Sequence, residues 1–286
     1  MHLRQFLDIC FLKISEKSMS IWTAADEEID NKSSDFYINH FQINKIQTTE
    51  HQHHKTQLLY AEGGIVHIFT NKKHWYLPAR CFMIIPANIP HSILSLNPNT
   101  QLFNFYFDVK ENDSDFFRQK NIYFANDMLR EMIMYTKGWN GSLQYNTTPY
   151  HFLKAIKSIL PDLTNKEIPF PIQHPFPKDE KLIEIARFLN QNLEKNYTLE
   201  EIAKEFGLSS RTLSRKFKND LGMNYIRFLR SLRMTKSLEL IAENKYNMYE
   251  IAMLVGYNSL STFSNIFYKV LNMRPTEYHQ MIQHRK

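Results

Sequence analysis

One pattern occurs twice in the last third of the chain, and it constrains the fold more than any other sequence feature. The first copy covers residues 198–217 and the second covers residues 247–267. Each copy opens with the spacing of a capping box, in which an N-cap side chain and a Glu three residues later satisfy each other's free backbone N–H groups. A glycine, Gly207 or Gly256, then ends the first helix, because glycine adopts positive φ at little cost. Each copy therefore predicts a helix, a tight turn and a second helix.

The second helix of each copy is predicted to bury one face. A serine at its start can cap the N-terminus, and large apolar side chains four residues apart face the interior. The caps are Ser209 and Ser259, and the buried pairs are Leu213 with Phe217 and Phe263 with Phe267. Two helices joined by a short turn with glycine form a helix-turn-helix, whose second helix can enter a DNA major groove.

The two copies are joined by one long predicted helix, at about residues 224–242. Ordinary helical hairpins would explain either copy alone, but a repeat at nearly constant spacing favours a paired DNA-binding domain. Residues 178–286 resemble the DNA-binding domain of AraC/XylS-type transcription regulators, most specifically at residues 256–269, followed by Pro275 and Tyr278. The resemblance implies a sequence-specific regulator, most often an activator, with both units in successive major grooves on one face of the DNA.

The positive charge of the chain lies in this same region. Residues 178–286 hold 18 Lys and Arg against 12 Asp and Glu, a net charge of +6 that equals the net charge of the whole chain. Attraction to DNA phosphates favours such a basic domain. The charge distribution therefore agrees with the motif.

The DNA-reading residues follow from which helix faces are buried. The recognition helices are predicted at about residues 210–220 and 260–271, and each turns one polar face outward. An outward Arg can donate two hydrogen bonds to guanine, worth roughly 1–3 kcal/mol of discrimination. The resemblance implies base contacts for positions 211, 214 and 215. The predicted DNA-binding residues are Arg211, Ser214, Arg215, Lys218, Ser261, Thr262, Asn265 and Lys269.

The second recognition helix departs from the family pattern. The family usually carries Arg where Asn265 stands and Gly where Asn272 stands. An Asn can read adenine, but it brings no charge. We therefore expect the first unit to supply most of the affinity, so that Arg215→Ala weakens DNA binding more than Asn265→Ala.

Residues 36–110 are predicted to be β-structure, because short apolar runs alternate there with turn formers such as Gly63-Gly64. The predicted fold class is α+β, with an N-terminal antiparallel β-barrel followed by helices, and an all-α C-terminal domain. The barrel resembles the cupin-like sensory domain that heads many regulators of this family. His51, His53, Gln57 and Gly64 match its first motif, and residues 86–91 match its second.

Several residues depart from the cupin pattern. Lys45, Arg80 and Asn88 stand where Gly is usual, and Gln57 stands where Glu is usual. The expected role is a pocket for a small-molecule effector, with no metal and no cofactor. A metal site at His51, His53, Gln57 and His91 is the less favoured alternative, since imidazole suits several transition metals. A purely structural role for the histidines is the third reading. The predicted ligand-binding residues are His51, His53, Gln57, Tyr60, Trp75 and His91.

Helices are expected after the barrel, at about residues 126–137 and 149–160, within a helical region at 111–163. The resemblance implies a dimer interface there, and the plainer reading is a cover for the open face of the barrel. The density of prolines from Pro161 to Pro177 predicts a linker without helix or central strand, assigned to residues 164–177. Asp179 is predicted to cap the first helix of the C-terminal domain.

The remaining composition narrows the class of protein. No run of 18 apolar residues occurs, so no membrane span is expected, and the two cysteines are expected to be buried or free thiols. Residues 1–35 are expected to be poorly ordered, and residues 6–12 lack the features of a secretory signal. The chain is therefore interpreted as a cytoplasmic, homodimeric transcription regulator of promoter DNA, without enzymatic activity, that works with RNA polymerase by family resemblance. The alternatives are a cupin-type metalloenzyme fused to a DNA-binding domain, and a ligand-independent DNA-binding protein whose barrel mediates self-association.

Overall fold

The computed structural model describes residues 28–30, 34–42, 46–70, 73–95, 100–164, 173–174 and 177–283. The predicted disorder of residues 1–35 falls largely outside this described part. The chain divides into two compact units, one centred on the strands and the helices that follow them, and one centred on the helices from Glu180 onward.

The described strands form two antiparallel sheets. The six-stranded sheet has the order β10-β1-β8-β3-β6-β9, and the five-stranded sheet has the order β11-β5-β4-β7-β2. The strands are β1 (Phe36–Gln42), β2 (Ile46–Gln47), β3 (Thr56–Glu62), β4 (Ile65–Thr70), β5 (Lys73–Pro78), β6 (Cys81–Ile85), β7 (His91–Ser95), β8 (Gln101–Phe107), β9 (Ile122–Phe124), β10 (Gly141–Ser142) and β11 (Gln173–His174).

The predicted sheet-rich N-terminal fold is confirmed, but its described strands lie in two sheets rather than in one closed barrel. Strand β3 is buried along its whole length, because β8 and β6 pair with it on either side and apolar residues occupy both of its faces. Leu58 lies opposite Phe105 on β8 and Ile84 on β6. Such continuous burial agrees with near-continuous apolar runs rather than strict alternation.

Two helices pack on the apolar face of the six-stranded sheet. Helix α1 (Asp127–Tyr135) is capped by Asn126, and helix α2 covers Thr148–Thr164. Their buried residues share one core with the sheet, which makes them a cover for that face as the plainer reading proposed. The helical residues of that core are Leu129, Ile133, Tyr150, Leu153, Ile156 and Leu160.

Helix α2 continues past Pro161, and the expectation that no helix survives there was wrong. Proline removes one backbone hydrogen bond, but here it lies only three residues before the end of the helix. Leu160 and Thr164 are both buried, and the Thr164 hydroxyl donates to the Leu160 carbonyl at 3.0 Å. Packing on both sides of the proline therefore outweighs the lost hydrogen bond. Of the predicted linker that follows, the structure describes residues 173–174, which form an edge strand, and residue 177.

From Glu180 to Gln283 the regular structure of the C-terminal unit is helical, as predicted. Asp179 caps the first of them, and the capping boxes of both repeats are formed. Gly207 and Gly256 adopt positive φ, at +67° and +82°. The helices are α3 (Glu180–Gln191), α4 (Leu199–Glu205), α5 (Ser210–Leu221), α6 (Tyr225–Glu243), α7 (Met248–Leu254), α8 (Leu260–Leu271) and α9 (Pro275–Gln283).

Each helix-turn-helix unit has an aromatic core at its recognition helix. In the first unit Phe217 packs against Tyr225 and Phe228 of α6, and in the second Phe267 packs against Phe263 and Tyr278. The inward positions predicted from spacing are therefore confirmed, since each is at most 1% exposed.

Two further expectations concern the described residues. Cys81 is buried, as expected, whereas Cys10 lies outside the described residues. Within the described part of the chain, no helix combines the length and the apolar character needed to cross a membrane.

The two turn glycines are expected to tolerate alanine unequally. A Cβ on Gly207 would meet nothing within 4 Å, so Gly207→Ala should cost only the left-handed backbone strain, about 1 kcal/mol. A Cβ on Gly256 would lie 2.1 Å from the Leu193 carbonyl oxygen and 2.4 Å from Arg233 Nη2, which should add roughly 1–3 kcal/mol. Urea unfolding of both full-length variants, followed by circular dichroism, measures the difference. Equal losses would contradict it.

Candidate nucleic-acid interface and histidine cluster

The first recognition helix, α5, presents a polar face because its other face is buried. Ser209 caps it, accepting a hydrogen bond from the Thr212 N–H at 3.1 Å. Leu213 and Phe217 are buried, and the neighbouring Lys216 is held in an ion pair by Asp179. The predicted residues Arg211, Ser214, Arg215 and Lys218 are all exposed, and so is Asn219.

The second recognition helix, α8, repeats this arrangement. Ser259 caps it through the Thr262 N–H, also at 3.1 Å, and its hydroxyl donates to the Thr262 hydroxyl at 2.9 Å. The Thr262 hydroxyl thus already accepts a hydrogen bond within the cap. The predicted residues of this helix, Ser261, Thr262, Asn265 and Lys269, are all exposed.

A cleft of about 590 Å³ is lined mainly by α6 and by the start of α4, and each recognition helix contributes one residue to it. It is lined by Ser214 of α5, Ile266 of α8 and the exposed Arg230 of α6, among others. Both reading helices therefore border one concave surface. Arg230 adds a positive charge to that surface, and sequence reasoning missed it because α6 was assigned only a connecting role.

A buried arginine connects the two helix-turn-helix units. Arg233 of α6 is 8% exposed, and its Nη2 donates to the carbonyls of Leu193 and Lys195, each at 3.1 Å. The same nitrogen donates to Asn196 Oδ1 at 2.9 Å, and the guanidinium lies 5.4 Å from the Tyr257 ring centre. The loop before the first unit and the turn of the second are thus held by one side chain.

The N-terminal unit brings three of the predicted ligand residues together. One ring nitrogen from each of His51, His53 and His91 lies within 4.8 Å of the others. Each Nδ1 atom contacts a backbone carbonyl oxygen. His51 contacts that of Thr49 at 2.9 Å, His53 that of Lys55 at 2.6 Å, and His91 that of Ile89 at 2.7 Å. A ring that donates through Nδ1 presents an Nε2 lone pair, so three such lone pairs converge.

A chain of buried amides fixes the orientation of Gln57 beside this cluster. The Asn39 backbone carbonyl can only accept, and Asn104 Nδ2 donates to it at 2.8 Å. The Asn104 side-chain oxygen then accepts from Gln57 Nε2 at 2.7 Å. Gln57 is left with its oxygen facing His53 Nε2 at 3.2 Å. Neither amide can be reversed without setting two acceptors against each other.

Both ring nitrogens of His53 therefore face oxygen acceptors. Burial lowers the pKa of His53, which favours the neutral ring with its single N–H. The neutral ring can donate to only one of these two oxygens, so at the other a nitrogen lone pair faces an oxygen lone pair. A cation bound by both His53 Nε2 and the Gln57 oxygen would remove that repulsion. His91 Nε2 is also buried and has no hydrogen-bond partner among the described residues. The donor set of three imidazoles and an amide oxygen fits a transition-metal ion such as Zn²⁺.

The other two predicted ligand residues are not part of this cluster. The Tyr60 side chain projects from the opposite face of β3 to that of Gln57, packs in the core under α1 and α2, and donates its hydroxyl to Glu62. The alternation of a strand separates positions 57 and 60 in this way. Trp75 is buried on β5, opposite Gln173 of β11, in a segment that groups with the C-terminal unit. The odd spacing of positions 57 and 60 on one strand could have revealed the first placement, whereas that of Trp75 depends on tertiary contacts.

Comparisons with known proteins match the C-terminal part of the chain. Residues 202–281 fit the model of a family described as a helix-turn-helix domain. The transcriptional activator RhaS of Salmonella schwarzengrund is 30% identical over 102 residues, which are 36% of this chain and 37% of that protein. RhaS of Salmonella arizonae matches to the same extent. The chain thus matches little more than a third of the length of these relatives.

Solved structures also resemble the chain, at lower sequence identity. The C-terminal domain of AraT, a response regulator from Geobacillus stearothermophilus, is 29% identical over 36% of this chain and 86% of that one, with a TM-score of 0.35. ToxT from Vibrio cholerae is 13% identical over 87% of this chain and 99% of its own, with a TM-score of 0.37.

Acid is expected to destabilise the N-terminal unit through its buried histidines. Burial lowers the pKa of His67 to about 3 and that of His40 to about 4. An unfolded histidine binds its proton near pH 6.5, so below that pH the unfolded state takes up protons that the folded state refuses. Each histidine then removes about 1.4 kcal/mol of stability per pH unit until its folded pKa is reached. Melting followed by tryptophan fluorescence from pH 7.5 to 5 tests this, and a flat profile would contradict it.

Proposed function

We propose that the whole chain is a sequence-specific transcription regulator of promoter DNA, of the AraC/XylS type, since residues 202–281 match a helix-turn-helix family and the activator RhaS is similar over the same region. The supporting observation is the pair of exposed polar faces on α5 and α8, two helices that each contribute one residue, Ser214 and Ile266, to the same cleft. A major groove admits one helix, so two such helices suit two successive grooves on one face of the duplex. The predicted reading residues of both helices are part of this proposal.

We further propose that the protein activates transcription, together with RNA polymerase in the cytoplasm. The support is the likeness of its DNA-binding domain to that of the activator RhaS. Self-association through α1 and α2 is proposed as well, because Met128 and Tyr135 of α1 remain 52% and 66% exposed beside the buried face. Exposed apolar side chains of this size mark an interaction surface when they lie together.

The N-terminal unit is proposed to sense an effector at the histidine cluster, so that effector binding changes the population of DNA-binding states. Such a shift requires that the effector bind one state better than the other. A small organic effector was the first expectation. The convergent Nε2 lone pairs and the fixed Gln57 oxygen favour a second candidate, a transition-metal ion, either as the effector itself or as the ion that holds it.

Arg215→Ala is expected to weaken binding to the selected DNA site more than Asn265→Ala does. Arg215 carries a charge and a bidentate donor, whereas Asn265 is uncharged, so the first loss should be roughly tenfold or larger. Random-duplex selection with the wild-type chain supplies the DNA site, and fluorescence anisotropy then measures each variant. Equal losses would contradict the expected asymmetry.

Metal binding is expected to depend on the histidine cluster and not on the exposed His54 beside it. After treatment with a chelator and addition of Zn²⁺ or Co²⁺, the full-length chain should retain about one ion per chain, with cobalt absorption typical of nitrogen ligands. His51→Ala should weaken that affinity at least roughly tenfold. The matched control is His54→Ala, because the His54 side chain is 79% exposed and lies outside the cluster.

Two results would contradict this candidate. One is a wild-type chain that retains no ion, and the other is a His51→Ala variant that binds as well as the control. Either result would leave the organic effector as the proposed ligand of the N-terminal unit.

A further inference from the structure

The two recognition helices differ most at one repeated position. Along this part of the repeat, equivalent residues are separated by 50 positions, as Phe217 and Phe267 show. The same separation makes Asn265 the counterpart of Arg215. The second reading face therefore lacks the guanidinium that the first one carries at its centre.

The same repeat contains the reverse substitution nine residues later. Asn224 of the first unit caps α6, accepting from the Arg227 N–H at 2.8 Å. Its counterpart, 50 positions on, is Arg274, directly before Pro275. The first unit thus has Arg at 215 and Asn at 224, whereas the second has Asn at 265 and Arg at 274. The two residue types have exchanged places.

The structure brings the exchanged pair together. Arg274 Nη1 donates to Asn265 Oδ1 at 2.9 Å and to Ser264 Oγ at 3.3 Å. Its guanidinium also lies 4.8 Å from the centre of the Tyr268 ring. Asn265 and Tyr268 are exposed residues of α8. Arg274 is therefore held against the reading face of the second recognition helix by three of its side chains.

The contacts of Arg274 leave part of its guanidinium available to donate hydrogen bonds to a DNA base. No carboxylate of the described residues forms an ion pair with it, so its charge is not neutralised within the described part of the chain. Only Nη1 is used by the two hydrogen bonds, which leaves the edge formed by Nε and Nη2. Two parallel N–H donors on one edge match guanine O6 and N7. Stacking on Tyr268 already restricts the rotamers of the Arg274 side chain, so the side chain loses less conformational entropy when it binds DNA.

We propose that Arg274 reads a base in the second DNA half-site, where it replaces the guanidinium that the first unit carries at Arg215. Asn265 is a positioning residue that orients it. The inference rests on the proposed function, because it requires that α8 enter a major groove. It assigns a DNA contact to a residue outside both recognition helices. The equivalent residue of the first repeat, Asn224, is a helix cap.

The test uses the full-length chain and a DNA site selected from random duplexes with the wild type. Anisotropy titrations compare wild type with Arg274→Ala, Arg274→Lys and Asn265→Ala, on the selected site and on duplexes with each base pair of the second half-site changed in turn. The charge-matched control is Lys245→Ala, because Lys245 is exposed in the turn after α6 and faces Glu243 at 3.3 Å. Circular dichroism checks folding, and the Arg274 N–H to Glu277 hydrogen bond that starts α9 does not involve the altered side chain.

Arg274→Ala is expected to weaken binding to the selected site at least roughly tenfold and to abolish the preference at one base pair. Arg274→Lys should lose the same preference, because an ammonium group lacks the paired donors. Asn265→Ala should reduce the preference at that base pair by a smaller factor, and Lys245→Ala should leave it unchanged.

Three results would overturn the inference in distinguishable ways. Unchanged binding by Arg274→Ala would show that Arg274 does not contact DNA. A uniform loss on every duplex that Arg274→Lys restores would show a phosphate contact without base reading. Failure of the wild-type chain to select any sequence would instead overturn the proposed function itself, and the inference with it.

Discussion

The Arg233 guanidinium is the contact on which the C-terminal domain depends. It is buried, it donates to the loop before the first helix-turn-helix, and it packs on Tyr257 at the turn of the second. Removing a buried charged donor from its acceptors is costly, so this contact fixes one arrangement of the two units. Gly256 belongs to the same contact, because any Cβ there would occupy the space of Arg233 Nη2. The relative placement of both reading helices thus depends on one arginine and one glycine.

The two repeats share a framework but differ in what they expose. Serine caps, turn glycines and aromatic cores recur at equivalent positions, and they fix the direction of α5 and α8. Charge is distributed differently, with Arg211 and Arg215 on α5 and uncharged side chains at the equivalent positions of α8. In the N-terminal unit, by contrast, a chain of buried amides orients Gln57 toward His53. Local hydrogen bonds therefore set the start of each recognition helix and the orientation of the Gln57 amide.

The C-terminal domain could be predicted from sequence because its determinants are local. Capping boxes, turn glycines and helical spacing act within a few residues, and the helices begin and end where these signals place them. Contacts between distant residues gave no such signal. The pairing of Trp75 on β5 with Gln173, the packing that carries α2 past Pro161, and the approach of Arg274 to Asn265 all depend on tertiary placement. The exchange of Arg and Asn between the repeats is present in the sequence, but the contact between Arg274 and Asn265 exists only in the folded domain.

Footprinting tests the central claim, that one rigid pair of helices reads two grooves of one DNA face. Hydroxyl radicals would cleave a duplex, selected from random DNA by the full-length chain, in the presence and absence of protein. Two protected windows separated by roughly one helical turn, about 10 base pairs, on the same face of the duplex are the predicted result. A single protected window, or equal protection of unrelated DNA, would contradict the account.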